Sequence, residues 1–267
     1  MSVLSVKNLR VSYKNGKLGK SVLQGVEFDL NQGDFVCLCG PNGCGKSTLL
    51  SVIAGVPDNN LVINEGTVLF GNEKTKQNDI NLSSLHFSDR AKILAYMQQT
   101  EASAWDFTVE EYVLQGRFAH SKGGHYSVND RTVVMEVLVD LGLDKFADRT
   151  VHTLSGGEFQ KVRIARAFAQ QPSFMLLDEP AASLDFVYEP QLMTLLKNLA
   201  EKKNIGILVT IHDINIAYNY AKKIMLLPPE KNVLIGTPGD IMSVENLKTT
   251  FGVDFQCKET KSFQLLQ

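Results

Sequence analysis

The chain has 267 residues, 44 % of them hydrophobic and 21 % charged, with a formal net charge of −2; this is enough apolar material for one large α/β domain or a domain with a subdomain. The charge balance offers no basic field for nucleic acid or an anionic bilayer. No apolar run approaches the roughly 18–20 residues that cross a membrane, and Met1-Ser2-Val3-Leu4-Ser5 lacks the basic start and apolar stretch of a signal peptide, so a cytoplasmic chain is expected, with any membrane association made through a partner.

In chain order, Val3-Leu4-Ser5-Val6 and residues 21–30 predict half-buried strands joined by a hairpin loop at Asn15-Gly16-Lys17-Leu18-Gly19-Lys20. Phe35-Val36-Cys37-Leu38-Cys39 reads as a buried strand ending at Gly40, its cysteines filling core volume. Residues 46–54 have helical spacing and stop at Gly55. Strands are expected at 66–71 and 93–97, with a polar loop over 72–84. From about residue 101 the strand signal disappears, and 109–117, 129–141 and 156–170 carry helical periodicity, the last ended by Pro172. A βαβ rhythm then resumes: strand 174–177, helix 187–203, strand 206–210, helix 214–221, strand 223–227, and a tail with a helix near 244–251. The pattern predicts an α/β core with a mostly parallel sheet, interrupted by a helical insert.

Gly40-Pro41-Asn42-Gly43-Cys44-Gly45-Lys46-Ser47 matches the phosphate-loop pattern G-x-x-x-x-G-K-[ST], set between an apolar strand and a helix. Its glycines let backbone N–H groups face inward, and the following helix start completes an anion cradle. Lys46 is expected to reach the β- and γ-phosphates, Ser47 to hold Mg²⁺, and Thr48 to lie near the α-phosphate. Taken alone, this loop would suit a kinase or a GTPase equally. Phe174-Met175-Leu176-Leu177-Asp178-Glu179 delivers two acids at the end of a buried strand, where Asp178 is expected to bind Mg²⁺ and Glu179 to polarise the attacking water.

Leu154-Ser155-Gly156-Gly157-Glu158 opens a helix with a serine and two glycines, a second anion-binding terminus. One ATP does not need two cradles in one chain, but two chains facing each other do. The segment resembles the signature motif of ABC ATPases, with Glu158 where many members carry Gln, and Gln160, Arg163 and Ala165-Arg166-Ala167 follow as in that family. Other family motifs come in order. Tyr13 matches the aromatic residue that stacks on adenine. Gln99 matches the Q-loop glutamine, with Gln98 as the alternative because it stands where relatives commonly have Pro. Asp185, in Ser183-Leu184-Asp185, matches the D-loop, and His212, in Ile211-His212-Asp213, the switch histidine.

The resemblance implies a P-loop NTPase of the ABC ATPase class. Its core would span 1–100 and 155–236 with an N-terminal antiparallel β subdomain, its helical subdomain 101–154, and a C-terminal tail 237–267. It implies ATP and Mg²⁺ as cofactors. Glu179, His212, Gln99 and Lys46 would be catalytic. Tyr13, Gly40, Pro41, Asn42, Gly43, Cys44, Gly45, Lys46, Ser47 and Thr48 would bind the nucleotide, with Ser155, Gly156, Gly157, Glu158 and Asp185 serving the facing chain. Ser47, Gln99 and Asp178 would surround the metal. Implied partners are a second copy of the chain, a polytopic permease at the cytoplasmic face of the membrane and, indirectly, an extracytoplasmic substrate-binding protein; nucleic acid is not implied.

A finer resemblance, to importers of iron-siderophores, haem and vitamin B12, rests on Asp106-Phe107-Thr108-Val109-Glu110 with Gly116-Arg117, and on Ile235-Gly236-Thr237-Pro238-Gly239-Asp240-Ile241-Met242 with Phe251-Gly252-Val253-Asp254. Trp105 and Phe107 read either as core aromatics or as permease contacts. The alternative class is a soluble ABC ATPase serving iron–sulfur cluster assembly.

The four cysteines, Cys37, Cys39, Cys44 and Cys257, form no zinc-like cluster and fit free thiols. Cys44 departs from the Ser or Ala usual in the loop. Beside a helix start and the Lys46 ammonium, it is expected to have a lowered pKa and to be the first thiol modified by a maleimide.

Overall fold

β1 (Ser2–Tyr13) and β2 (Ser21–Asn31) pair antiparallel, and β1 also pairs with β4 (Leu61–Asn72), which carries the short β5 (Ile80–Asn81) at its far edge. The structure, a computed structural model, describes residues 2–14, 21–72, 79–101, 106–121, 123–182, 184, 187–229 and 232–256. The predicted hairpin loop, Trp105, Asp185 and Cys257 lie outside them. In the four-stranded sheet, order β2-β1-β4-β5, Leu4 stands opposite Leu30 and Phe70, and Val6 opposite Phe28 and Val68. That register gathers the apolar residues of three strands on one face.

The second sheet holds β3 (Phe35–Cys39), β6 (Leu94–Met97), β7 (Phe174–Leu177), β8 (Gly206–Thr210), β9 (Lys223–Leu226) and β10 (Leu234–Gly236), in the order β10-β9-β3-β8-β7-β6. All its pairings are parallel except β10 with β9. Every residue of β3, β7 and β8 is buried, which is why these strands read as unbroken apolar runs rather than alternations. Alternation still sorts their side chains. Cys37, Cys39, Met175, Leu177, Ile207 and Val209 pack with the helical side; Val36, Leu38, Phe174, Leu176 and Leu208 pack with Leu4, Val6 and Leu9 of the antiparallel sheet.

Helix α1 (Lys46–Ala54) follows β3 and ends where Gly55, at φ 75°, donates its N–H to Ser51 and Val52 carbonyls. Helix α2 (Phe87–Ile93), which precedes β6, and the short β5 are absent from the sequence reading; α2 has seven residues and none is buried, so it leaves no apolar stripe. β4 begins at Leu61 rather than 66 because its first half is paired yet largely exposed.

The helical insert holds α3 (Val109–Leu114) and α4 (Val128–Asp140). Each starts with a reciprocal capping box, Thr108 with Glu111 and Ser127 with Asp130. The predicted helix 109–117 is split: α3 tightens into a 3-10 turn over Gln115–His120. α5 (Gly156–Ala169) and α6 (Tyr188–Lys203) pack on the same face of the parallel sheet, and the large apolar residues of α3 to α6 share one core with it. α7 (Ile214–Tyr220), α8 (Pro238–Ile241) and α9 (Val244–Phe251) are the last helices among the described residues, with Leu247 buried against that core. Among the described residues, no helix is long and apolar enough to cross a membrane.

Candidate functional site

Because β3, β6, β7 and β8 are parallel neighbours in one sheet, their C-terminal ends open on the same edge. β3 delivers residues 40–48, β6 delivers Gln99, β7 delivers Asp178 and Glu179, and β8 delivers Thr210 and His212. An open cleft of about 790 Å³ lies there, lined by Tyr13, residues 42–48, Gln99, Glu179 and His212 from the predicted set, with Ser21, Val22 and Pro229 as further wall.

Gly45 is the N-cap of α1 at φ 105°, and a Cβ there would come within 3.0 Å of Leu23 and 3.1 Å of Val22. Only glycine suits both that backbone and that approach. With no side-chain cap on α1, its first-turn N–H groups are left to whatever occupies the cleft. Lys46 curls back over the loop: Nζ donates to the Gly40 carbonyl at 2.8 Å and the Pro41 carbonyl at 3.1 Å, and the residue is 6 % exposed. A buried ammonium beside uncapped helix donors fits a polyphosphate.

Beneath the cleft, β7 ends in a kink. Glu179 has φ 48°, a left-handed backbone unusual for a non-glycine residue. Asp178 is 2 % exposed; its N–H donates to the Met97 carbonyl at 2.9 Å, and Oδ1 accepts from the Thr210 hydroxyl at 2.8 Å. The Glu179 N–H donates to the same Thr210 oxygen at 2.7 Å. Both Glu179 carboxylate oxygens are engaged: Oε2 accepts from Gln99 Nε2 and Oε1 lies against His212 Nε2, each at 2.6 Å. Ser47, Asp178 and Gln99 present only oxygen donors to a cation, the chemistry of a hard divalent ion. Among the described residues no group of three or more His, Cys, Asp or Glu could hold a metal.

Cys44 departs from its expected behaviour. It is 8 % exposed and packs under the loop, where a Cβ on Gly40 would meet its Sγ at 2.8 Å. Burial pushes its thiol up, outweighing the Lys46 ammonium and the backbone donors. The expectation of a lowered pKa is overturned: desolvation of a thiolate wins over the helix start. Burial also raises Cys39, to about 12, and Cys37 well above its usual range.

The signature residues lie apart from the cleft lining. Ser155 caps α5, accepting from the Glu158 N–H at 3.3 Å, while a Glu158 oxygen accepts from the Ser155 N–H and hydroxyl, each at 2.7 Å. Those donors hold the Glu158 carboxyl below its usual range. A Cβ on Gly156 would meet only open space, and one on Gly157 would approach Leu184 at 3.0 Å.

A family model for the ABC transporter matches residues 23–182. The chain belongs to the ABC transporter family. Membership carries ATP binding and, in general form, ATP hydrolysis. An uncharacterized ABC transporter ATP-binding protein of Methanocaldococcus jannaschii is 35 % identical over 95 % of this chain and 93 % of its own length. The hemin import ATP-binding protein of Pseudomonas aeruginosa is 34 % identical over 94 % and 93 %, and the iron(3+)-hydroxamate import ATP-binding protein of Bacillus subtilis 30 % over 95 % and 89 %. Among solved structures, a chain of an inward-facing ABC transporter assigned to the metal-chelate type superposes with TM-score 0.79 at 30 % identity, covering 97 % of this chain and 95 % of that one. A dimeric bacterial ABC transporter cassette gives 0.72 at 28 %, covering 88 % and 98 %.

In this ABC cassette, Gln99 and not Gln98 sends its side chain to Glu179; Gln98 offers its carbonyl to Arg163. Arg163, 4 % exposed, donates to the carbonyls of Gln98 at 2.5 Å and Gln99 at 3.3 Å and to Gln160 Oε1 at 2.8 Å, and Gln160 Nε2 donates to the Pro180 carbonyl at 2.7 Å. These two residues of α5 therefore tie the signature helix to the ends of β6 and β7. Phe107 packs against the helical-side core. Thr210 escaped the sequence reading; its only signal is a hydroxyl closing an otherwise apolar strand two residues before His212.

Proposed function

We propose that the chain is the ATP-hydrolysing subunit of an importer that moves a metal chelate of the iron-siderophore, haem or cobalamin type through a separate polytopic permease. The observation that carries the mechanism is the separation of two anion cradles in one chain. The cleft gathers the phosphate loop and Glu179, while Ser155, Gly156 and Gly157 stand outside it and, in this reading, complete the cleft of a second copy. The import assignment is supported by the names of the hemin and iron(3+)-hydroxamate relatives and by the metal-chelate structural neighbour. Nothing in those names favours a soluble cluster-assembly ATPase.

In this reading Tyr13 stacks on adenine, and residues 40–48 wrap the phosphates through backbone N–H groups and Lys46. Ser47, Asp178 and Gln99 would hold Mg²⁺, which would neutralise phosphate charge. Glu179 orients the attacking water through a carboxylate oxygen. Both of its oxygens are engaged in the structure, by Gln99 and His212. In this reading Gln99 would face the metal and His212 Nε2 the γ-phosphate, which would leave Glu179 free to act. Asp185 of the facing chain joins the closed site. Closure of the pair drives the permease, which sits with this subunit at the cytoplasmic face of the membrane and receives cargo from an extracytoplasmic binding protein.

The test is uptake of labelled ferric siderophore, hemin or cobalamin into vesicles carrying the chain with its permease and binding protein. ATP-dependent uptake of one of these, lost in Glu179→Gln, is expected. Co-purification of the chain with a soluble scaffold and no polytopic membrane protein would overturn the import reading.

A further inference from the structure

We propose that Thr210 is a positioning residue for hydrolysis, one hydroxyl that sets both the Asp178 carboxylate and the Glu179 backbone; this rests on the roles given to those two acids above. Thr210 closes β8 after Gly206, Ile207, Leu208 and Val209 and has 0 % exposure. A hydroxyl so buried must be partnered or carry an uncompensated desolvation penalty. It is partnered twice, as donor to Asp178 Oδ1 at 2.8 Å and as acceptor from the Glu179 N–H at 2.7 Å. Its own backbone is fixed on the other side, where it stands opposite Leu38 of β3 and the next N–H, of Ile211, donates to the Leu38 carbonyl at 3.1 Å.

The placement answers a problem created by the kink. The β7–β8 register ends at Leu177 opposite Val209. Two residues later the chain must turn so that Glu179 reaches the cleft, and it does so at φ 48°. A left-handed backbone at a non-glycine residue persists only when its surroundings over-determine it. The Thr210 oxygen takes the Glu179 N–H after the strand pairing has ended, and its proton holds the neighbouring carboxylate. Thr210 thus stands on β8, between the strand that carries the loop and the strand that carries the acids: the loop holds nucleotide, and Thr210 aims the groups that act on it. A merely structural role would cost stability and would not separate turnover from nucleotide binding.

Thr210→Val keeps the shape and removes both bonds; Thr210→Ser keeps them. Three quantities are read for each: affinity for a fluorescent ATP analogue without Mg²⁺, the gain in that affinity when Mg²⁺ is added, and kcat. Thr210→Val is expected to bind the Mg²⁺-free analogue within about twofold of the parent chain, to lose most of the Mg²⁺-dependent gain, and to fall at least about tenfold in kcat, or ~1.4 kcal/mol; Thr210→Ser is expected to restore all three. Weakened Mg²⁺-free binding in parallel with kcat, wild-type values throughout, or a Ser variant as impaired as Val would each overturn the proposal. If Thr210→Val does not fold, the Ser variant and Thr210→Ala are judged on the same split. Glu179→Gln is measured alongside: full turnover there brings down the underlying reading, whereas lost turnover there with an unaffected Thr210→Val brings down this proposal alone.

Discussion

The phosphate loop and the first turn of α5 both present a helix start to an anion, yet they are finished differently. α1 begins at a glycine with no side-chain cap, and its surroundings supply a buried ammonium and a fixed pair of acids. α5 begins at a serine whose hydroxyl and N–H are taken by the chain's own Glu158. The first cradle waits for phosphate with its donors uncapped. The second is capped within the single chain, and in the proposed pair it would exchange the Glu158 contact for a ligand brought by another copy. Arg163 and Gln160 connect the two through the ends of β6 and β7, so the separation is one of exposure and not of independent folding. A fold can complete one half of a shared site and leave the other half quiet until assembly.

The largest effect that could break this comparison is at Lys46. Lys46→Ala removes two charge-assisted contacts with the loop and the ammonium itself, and nucleotide binding should weaken up to about a hundredfold, since such bonds contribute about 1.5–3 kcal/mol. Unchanged affinity by fluorescence titration would mean that the cradle is not where phosphate sits. Next, Arg163→Ala should lower thermal stability by about 1–3 kcal/mol, because it leaves the buried Gln160 Oε1 unpaired and releases the Gln98 and Gln99 carbonyls; a melting temperature within a degree of the parent's would show that the two regions are not joined through it. Ser155→Ala sharpens the contrast. ATP binding to the monomer should stay within about twofold, while turnover falls about tenfold, and an equal loss in both would place Ser155 in its own chain's cleft. The smallest effect is expected for Glu158→Gln, a half-buried cap residue whose replacement can still accept from Ser155, and stability should change by less than about 0.5 kcal/mol. A shift of several degrees in melting temperature would show that the Glu158 cap carries more of α5 than its half-buried position implies.

Much of this was legible from residues alone. Buried strands that end in functional residues announce themselves, because apolar runs such as 35–39 and 174–177 are followed at once by Gly40 and by Asp178. The expected helix at 46–54 stands with its Gly55 cap. What failed to show has physical causes. α2 buries nothing, so no period marks it. Thr210 lies in an apolar strand where a hydroxyl is easily read as filler, and only its two partners on the neighbouring strand reveal it. Cys44 was misjudged because helix start and ammonium are visible in sequence, whereas the desolvation that dominates its thiol depends on packing under Gly40. Slow maleimide labelling of Cys44 follows from that burial.

The central claim, that two copies of this chain complete each other's nucleotide sites, is tested most directly by the solution mass of Glu179→Gln with Mg·ATP. Hydrolysis-deficient chain should trap the closed pair, so light scattering should give twice the chain mass with nucleotide and the single-chain mass without it. A monomer at saturating Mg·ATP, together with wild-type hydrolysis whose specific rate is constant down to monomeric dilution, would contradict the account.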